Sequence, residues 1–455
     1  MEITKNNIKI TLISLGCSKN LIDGENMSTE LKKAGYNVIN DVGNSDIVVI
    51  NTCGFIESAK KEAIDTILEV ADFKVPNGNV KKIIVTGCLA QRYSEDILKE
   101  LPEVDAVLGT AHYGDIVSVA DKLASEIDET DSEKINITSG KGGFSHLVKD
   151  RELSTAGYAW LKIGEGCLHR CAFCAIPLIR GTFVSRPMED ILEEAKIIAQ
   201  NGVKEIILAA QDTTNYGIEL YKERKLAELL RKLSEIEGIE LIRVMYGYMD
   251  GITPDLIEEM AKNPKVAHYL DIPIQHGSDK ILKAMYRRDN AELITTRLEM
   301  IRKAMPDCII RTTVMVGFPG ETEEDFQMMK ENLKKWKFDR LGCFIFSPEE
   351  GTPAFDMPDQ IDEETKQRRY DEIYELQKEI SEEQSKKRLG TVTKVNICSV
   401  SDDGIFYVGR SYGESPEVDP VIFVASQEEE LKVGDFVDVK IVDCSDEYDL
   451  TAVTI

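Results

Sequence analysis

The first 125 or so residues alternate short apolar runs with helix-like stretches, a pattern that leaves few possible architectures. Ile8–Leu15, Asp46–Asn51, Lys82–Thr86 and Val104–Leu108 have strand length, and the stretches Asp23–Lys33, Ile56 to about Ala71, Asp96–Leu101 and Ile116–Ala124 have helical character. Apolar runs of this kind belong to strands covered on both faces, so the alternation predicts a parallel, doubly wound α/β sheet. Three cysteines fall just past the first three runs: Cys17 in Leu15-Gly-Cys-Ser-Lys-Asn20, Cys53 in Asn51-Thr-Cys-Gly54 and Cys88 in Thr86-Gly-Cys-Leu89. In a parallel sheet the strand C-terminal ends open on one edge, where ligands bind, so these thiols are expected to converge there. Each has a glycine beside it that permits close backbone approach. Three buried core thiols are the plain alternative, but core thiols would scatter along strands. The shared edge favours a three-cysteine iron–sulfur site with an open iron.

A second set lies on one loop, Gly164-Glu-Gly-Cys167-Leu-His-Arg-Cys171-Ala-Phe-Cys174-Ala-Ile-Pro177, directly after the strand-like run Tyr158–Ile163. Three thiolates spaced Cys-x3-Cys-x2-Cys can hold three corners of a cubane cluster, and no fourth cysteine is near to close it. A structural zinc site would show paired Cys units making four ligands, and His169 is the one extra candidate. The spacing resembles that of the radical S-adenosylmethionine (SAM) enzymes. That resemblance implies an open iron chelating the amino and carboxyl groups of SAM, with Phe173 at the superfamily's usual aromatic position.

Six strand candidates follow a Gly-rich linker at Thr138–Gly143: Tyr158–Ile163, Glu205–Ala210, Leu241–Tyr246, Tyr269–Ile274, Ile309–Val316 and Leu341–Phe346. Helical patterns separate them, including Met188–Gln200, Lys225–Glu235, Pro254–Ala261, Ala291–Ala304 and Glu323–Trp336. Six β/α units predict a partial barrel whose site lies at the strand C-terminal ends, the face that carries the cysteine loop. Gln211 ends the second strand, and Arg311 lies within the fifth, where a guanidinium needs a partner. A SAM carboxylate would serve Arg311, and SAM polar groups would serve Gln211; ordinary barrel hydrogen bonds remain the alternative for both. His276 is a candidate proton-transfer group, with a satisfied structural histidine the plainer reading. The Gly317-Phe-Pro-Gly320 turn looks like a cofactor-approach loop, a weak signal. Ile361 to about Arg388 is a charged helix whose stripe Tyr370, Ile373, Leu376 and Ile380 would pack on the barrel.

Past Leu389 the chain changes to short strands with Gly and Asp turns, which predict a small β-barrel. That segment holds fourteen Asp/Glu against four Lys/Arg, a net charge of −10. The whole chain stands at −26, which argues against broad contact with phosphate backbones. The acidic barrel suggests either a solubilising surface or a docking surface for a basic protein. No 18-residue apolar run and no secretory h-region is present, so a cytoplasmic, reduced protein with no membrane partner is expected. Cys308, Cys343, Cys398 and Cys444 sit in or beside apolar runs and are expected as core thiols.

Three cysteines at sheet edges, then Cys-x3-Cys-x2-Cys, then a small barrel, together resemble the methylthiotransferases. Leu15-Gly-Cys-Ser-Lys-Asn-Leu21, Arg180-Gly-Thr-Phe-Val-Ser-Arg-Pro187 and Gln211-Asp-Thr-Thr-Asn-Tyr-Gly217 place the chain nearest the branch that modifies ribosomal protein. TRNA-modifying relatives typically read Gly-Cys-Gln-Met-Asn and Gln-Asn-Val at the corresponding places. The resemblance implies an α/β chain of three units: a cluster domain over residues 1–140, a radical SAM core over 141–385, and a TRAM-like barrel over 386–455. It implies two 4Fe-4S clusters, one on Cys167, Cys171 and Cys174 that reduces SAM to methionine and a 5′-deoxyadenosyl radical. The other, on Cys17, Cys53 and Cys88, would carry the sulfur. The expected reaction places a methylthio group on the β-carbon of an aspartate in small-subunit ribosomal protein twelve. A flavodoxin- or ferredoxin-type donor would reduce the enzyme. The alternatives are a tRNA methylthiotransferase, which the acidic barrel disfavours, and a non-catalytic iron–sulfur carrier, which would close its clusters with four cysteines.

Overall fold

The computed structural model describes residues 5–129, 133–426, 430–444 and 449–455. The N-terminal unit runs β1 (Lys9–Ser14), α1 (Ser18–Lys33), β2 (Asn37–Val38), β3 (Ile47–Thr52), α2 (Glu57–Ala71), β4 (Lys82–Gly87), α3 (Cys88–Glu100), β5 (Ala106–Leu108), α4 (Ile116–Ser125) and β6 (Ile135–Ile137). Its strands form one parallel sheet in the order β2-β1-β3-β4-β5-β6. Every residue of β3 and β4 is buried, as strands covered by helices on both faces must be. Two helices begin earlier than apolar periodicity indicates: α1 starts right after Cys17, and α3 starts at Cys88 with a non-helical break at Tyr93. The first two turns of α1 bury polar residues at Ser18, Lys19, Asn20 and Asp23. They face another unit of the chain rather than an apolar core, so periodicity could not reveal them.

The middle unit runs β7 (Tyr158–Lys162), β8 (Gly164–Glu165), α5 (Ile176–Ile179), β9 (Val184–Ser185), α6 (Met188–Gln200), β10 (Glu205–Ala209), α7 (Leu226–Ser234), β11 (Leu241–Val244), α8 (Pro254–Lys262), β12 (Tyr269–Asp271), α9 (Asp279–Ala284), α10 (Ala291–Ala304), β13 (Ile309–Val316), α11 (Glu323–Trp336) and β14 (Arg340–Ile345). Six parallel strands form two ladders, β11-β10-β7 and β12-β13-β14, the halves of an open barrel. Apolar faces of the outer helices pack on the strands, with Leu229, Leu230, Met260, Ile301 and Phe326 in one shared core. Along β13 burial alternates, leaving Arg311, Thr313 and Met315 on the less buried, inward side. The short antiparallel pair β8 and β9 flanks the cysteine loop.

Helix α12 (Glu363–Lys386) lays Ile373, Leu376 and Ile380 on the barrel, and Tyr370 packs beside them. A closed barrel then follows: β15 (Val392–Val400), β16 (Tyr407–Arg410), β17 (Ile422–Ala425), β18 (Phe436–Asp443) and β19 (Leu450–Thr454), in the order β15-β16-β17-β19-β18. The pairing of β19 with both β17 and β18 completes the closure. This barrel docks on the base of the middle unit, at the N-terminal ends of its strands. Glu205, the first residue of β10, takes Arg410 at 2.9 Å and Asn396 at 2.9 Å. The loop after β16 closes the base: Arg243 donates to the carbonyls of Ser411 and Tyr412, and the Tyr269 hydroxyl donates to Asp419 at 2.5 Å. The loop after β16 also reaches up into the middle unit: Ser415 meets Met245 just past β11, and Asp419 faces Arg311 of β13. Among the described residues no helix is long and apolar enough to cross a membrane.

Candidate active site where two cysteine loops meet

Cys17 caps α1 in an extended conformation, Cys53 follows β3, and Cys88 is the first residue of α3. Two of these thiols therefore sit at helix N-termini, where the backbone favours negative charge. Gly16 adopts φ +88°, and a Cβ there would lie 2.6 Å from that of Cys53. A Cβ on Gly54 would lie 2.7 Å from the backbone of Leu89. These contacts draw the three strand-end loops together. Burial pushes the Cys53 thiol up to about 12, and its neighbours Cys88 and Cys17 add to the rise, as thiols sharing a small volume do. Burial raises Cys88 as well, against the pull of Arg180.

The second loop leaves the C-terminal end of β7. It is pinned by hydrogen bonds from Cys167 N to Gly181 O (3.2 Å), Cys174 N to Cys171 O (3.0 Å) and Ala172 N to Met285 O (2.9 Å). His169 does not reach toward a fourth ligand position: its ring stacks on Tyr248 at 3.8 Å, and its Nε2 meets Asp212 at 2.8 Å. The Arg287 guanidinium lies 4.5 Å from the centre of the Tyr248 ring, and its charge is felt at Cys174. Burial lifts Cys167 to about 12 and raises Cys174 further. Metal ligation, which deprotonates a thiol, would override these shifts.

The two loops adjoin. Cys88 packs against Ala175, the residue after Cys174, and against Ile179 of α5. Beside that contact lies a buried charged network between the first two units. Arg180 donates to Asn20 (2.6 Å), Asp23 (3.0 Å), Glu165 (3.1 Å), Tyr113 (3.3 Å) and the Cys88 sulfur (3.4 Å). Lys162 pairs with Asp23 and with Glu165, and His146 meets Asp23 at 2.8 Å. Burial alone would raise the Asp23 pKa, but Lys162, His146 and Arg180 hold it far below the usual carboxylate range. Arg180 was visible in a motif, and Lys162 as a lysine inside an apolar run, but no sequence signal paired them.

A cavity of about 600 Å³ lies over the junction, with Phe55 and Ile56 from the loop after Cys53, Phe173 from the second loop, and Gln275, Thr313 and Met315 from the barrel interior. Phe173 thus lines it. Gln211 donates to Glu165 at 2.6 Å, and its buried Oε1 has no partner. Arg311 lies elsewhere, deeper along β13: it pairs with Asp271 at 2.9 Å and faces Asp419 of the base-closing loop. Its carboxylate partners are these two aspartates. His276 is fully buried, accepting from Ser278 N at 2.9 Å and facing Glu321 at 3.3 Å. The Gly317 amide is likewise taken by Glu321. Of the remaining cysteines, Cys308 and Cys343 are buried, while Cys398 and Cys444 are partly exposed.

Do these residues fit iron–sulfur clusters and SAM? Each trio supplies three sulfurs, the glycine contacts hold the first trio's loops together, and the Gln211 oxygen is free to receive a donor. Among the described residues no three His, Cys, Asp or Glu side chains draw together as they would around a single ion. Cluster ligands bind different irons and need not do so.

The Uncharacterized protein family UPF0004 matches residues 9–109, the Radical SAM superfamily residues 161–333, and the TRAM domain residues 384–455. Curated relatives align over nearly the full length. The ribosomal protein uS12 methylthiotransferase RimO of Acetivibrio thermocellus is 50% identical over 444 residues, covering 97% of each chain. Its namesake from Lachnoclostridium phytofermentans is 48% identical, covering 97% of this chain and 99% of that one. The chain belongs to the RimO family. Solved structures echo the fold of this family member at low identity. The radical SAM methyltransferase TsrM of Kitasatospora setae, with cobalamin and a [4Fe-4S] cluster bound, gives a TM-score of 0.56 at 12% identity, covering 76% of this chain and 77% of that one. The cobalamin-dependent SAM radical enzyme OxsB gives 0.52 at 15%, covering 83% of this chain and 56% of that one. The α/β architecture with a radical SAM core and a C-terminal five-stranded barrel is the expected one.

Proposed function

We propose that this enzyme is a radical SAM methylthiotransferase acting on ribosomal protein uS12, with Cys167, Cys171 and Cys174 as ligands of one cluster and Cys17, Cys53 and Cys88 as ligands of a second. The observation that supports the two-cluster reading is the contact of Cys88 with Ala175, which brings the two cysteine loops together beside a cavity lined by Phe55 and Phe173. When bound, the clusters and SAM supply electron transfer, a hydrogen-abstracting radical and the transferred sulfur and methyl group. The chain's own residues do the positioning. His169, Tyr248 and Asp212 stiffen the second loop from behind, and the Arg287 charge lowers the cost of a thiolate at Cys174. Arg180 does the same for Cys88. Gln211 is the candidate donor or acceptor for SAM, oriented by Glu165, and Phe173 closes the apolar wall. Phe55, Met315 and Phe346 keep water from a site where reactive species must persist. For Arg311 the geometry supports a structural pair at the base, so a SAM contact would require it to leave Asp271.

The substrate aspartate enters the same cavity, and a reduced flavodoxin- or ferredoxin-type carrier delivers electrons in a cytoplasmic setting. Anaerobically reconstituted enzyme should transfer a methylthio group to ribosomal protein uS12 or to 30S subunits and form 5′-deoxyadenosine. Tested alongside, tRNA should remain unmodified; product on tRNA alone would overturn the reading.

A further inference from the structure

A groove of about 540 Å³ runs from the reaction cavity onto the N-terminal unit, between α2 and α3 and beside the loop Pro348–Phe355. Glu57 and Pro348 line both the groove and the cavity, so the two are continuous. Its floor is apolar. Ile64 and Phe355 stand 39% and 41% exposed, and Tyr93 and Leu101 are partly exposed beside them. Apolar side chains held open beside a reaction cavity mark a binding surface. Its rim is acidic: Glu57, Asp96, Glu100 and Glu350 are exposed, with Glu100 paired to its neighbour Lys99 at 2.6 Å. Lys60 is the sole cation among the lining residues, and it is already engaged by Glu57 at 2.7 Å and Glu349 at 3.1 Å.

We propose that this groove holds the segment of the substrate protein adjoining the modified residue, an extended stretch with apolar side chains for the floor and Lys or Arg for the rim. The inference rests on the function proposed above. Continuity means that a chain lying between α2 and α3 delivers its next residues into the cavity without leaving the surface. Charge selects among occupants: a basic ribosomal protein is attracted, whereas a carboxylate-rich electron carrier or a nucleic-acid backbone meets like charge at the rim.

The test uses full-length, cluster-loaded enzyme with Ile64→Asp and with the double variant Asp96→Lys/Glu100→Lys, all at exposed positions. Methylthiolation of uS12 is followed for KM and kcat, and uncoupled SAM cleavage by dithionite gauges whether the clusters are intact. Both variants should raise KM by roughly tenfold with kcat nearly unchanged, the scale of one interface anchor lost. The charge-reversed enzyme should also lose part of the salt dependence of KM. An unchanged KM in both variants would overturn the groove assignment. So would normal KM with slowed turnover only when a protein donor replaces dithionite, since the groove would then serve the donor. Absence of uS12 product from the wild-type enzyme, with SAM cleavage intact, would instead refute the function on which the inference depends.

Discussion

Replacing Arg180 with glutamine should unseat both the interface and the cluster it adjoins. The side chain is 2% exposed and makes five polar contacts to groups from both units. With Lys162 it balances two carboxylates, Asp23 and Glu165. Without the guanidinium, the two carboxylates keep only Lys162 and, at Asp23, the His146 contact, so buried negative charge is left under-compensated. Breaking a buried pair in this way costs about 3–5 kcal/mol, a large part of a typical folding free energy of about 5–15 kcal/mol. The surplus negative charge also faces the Cys88 sulfur, where it opposes the thiolate that a cluster needs. Arg180→Gln is therefore expected to lower the urea midpoint by the equivalent of about 3–5 kcal/mol, and to retain about half of the roughly eight irons of two cubanes. Arg180→Lys, which keeps the charge but loses the fork, should fall between the two. A glutamine variant within about 1 kcal/mol of wild type, carrying its full iron, would refute the argument, since a surface pair is worth no more than that.

Cys171→Ala should abolish 5′-deoxyadenosine formation, measured by chromatography of anaerobic reactions, while Cys53→Ala should keep it and lose methylthiolation. Gly54→Ala drives a methyl group to within 2.7 Å of the Leu89 backbone, so it should cut iron content toward half while leaving SAM cleavage in place. Burial would raise the Glu414 pKa, but Arg388 outweighs it and holds the group at about 2 against an ordinary 4.5. A carboxylate whose pKa is depressed by folding stabilises fully above its unfolded value and loses that contribution as the pH falls. Glu414 should thus contribute about 3 kcal/mol above pH 4.5 that disappears toward pH 2. Glu414→Gln should flatten acid denaturation in that window.

Much of the architecture was legible because it is written locally. Apolar runs such as Ile47–Thr52 and Lys82–Gly87 announce covered strands, and parallel strands necessarily bring Cys17, Cys53 and Cys88 to one edge. The second cysteine loop is a motif within eight residues. Less legible were features that depend on distant partners. Asp23 and Arg180 are 157 residues apart, and nothing in either neighbourhood says that they meet. The polar first turn of α1 hid its start for the same reason. Arg311 illustrates the limit from the other side. Its need for an acidic partner could be read from its place in a strand, but Asp271 and Asp419, the latter contributed by a loop of another unit, could not. The closing strand β19 is short and pairs with strands on both sides, so only the closed barrel gives it meaning.

The barrel's seat at the base makes the length of a substrate matter. A short peptide that fills the cavity need not touch the outer strands of the barrel, which are seated at the base through Arg410 and Asn396. An intact basic protein, or a ribosomal subunit carrying one, can engage both surfaces at once. Once tethered to the acidic barrel, its reactive segment would search only the volume its own chain allows, at an effective concentration set by geometry rather than by supply. Selectivity for whole particles over fragments would then follow from the spacing of the three units, without any further contact at the modified residue.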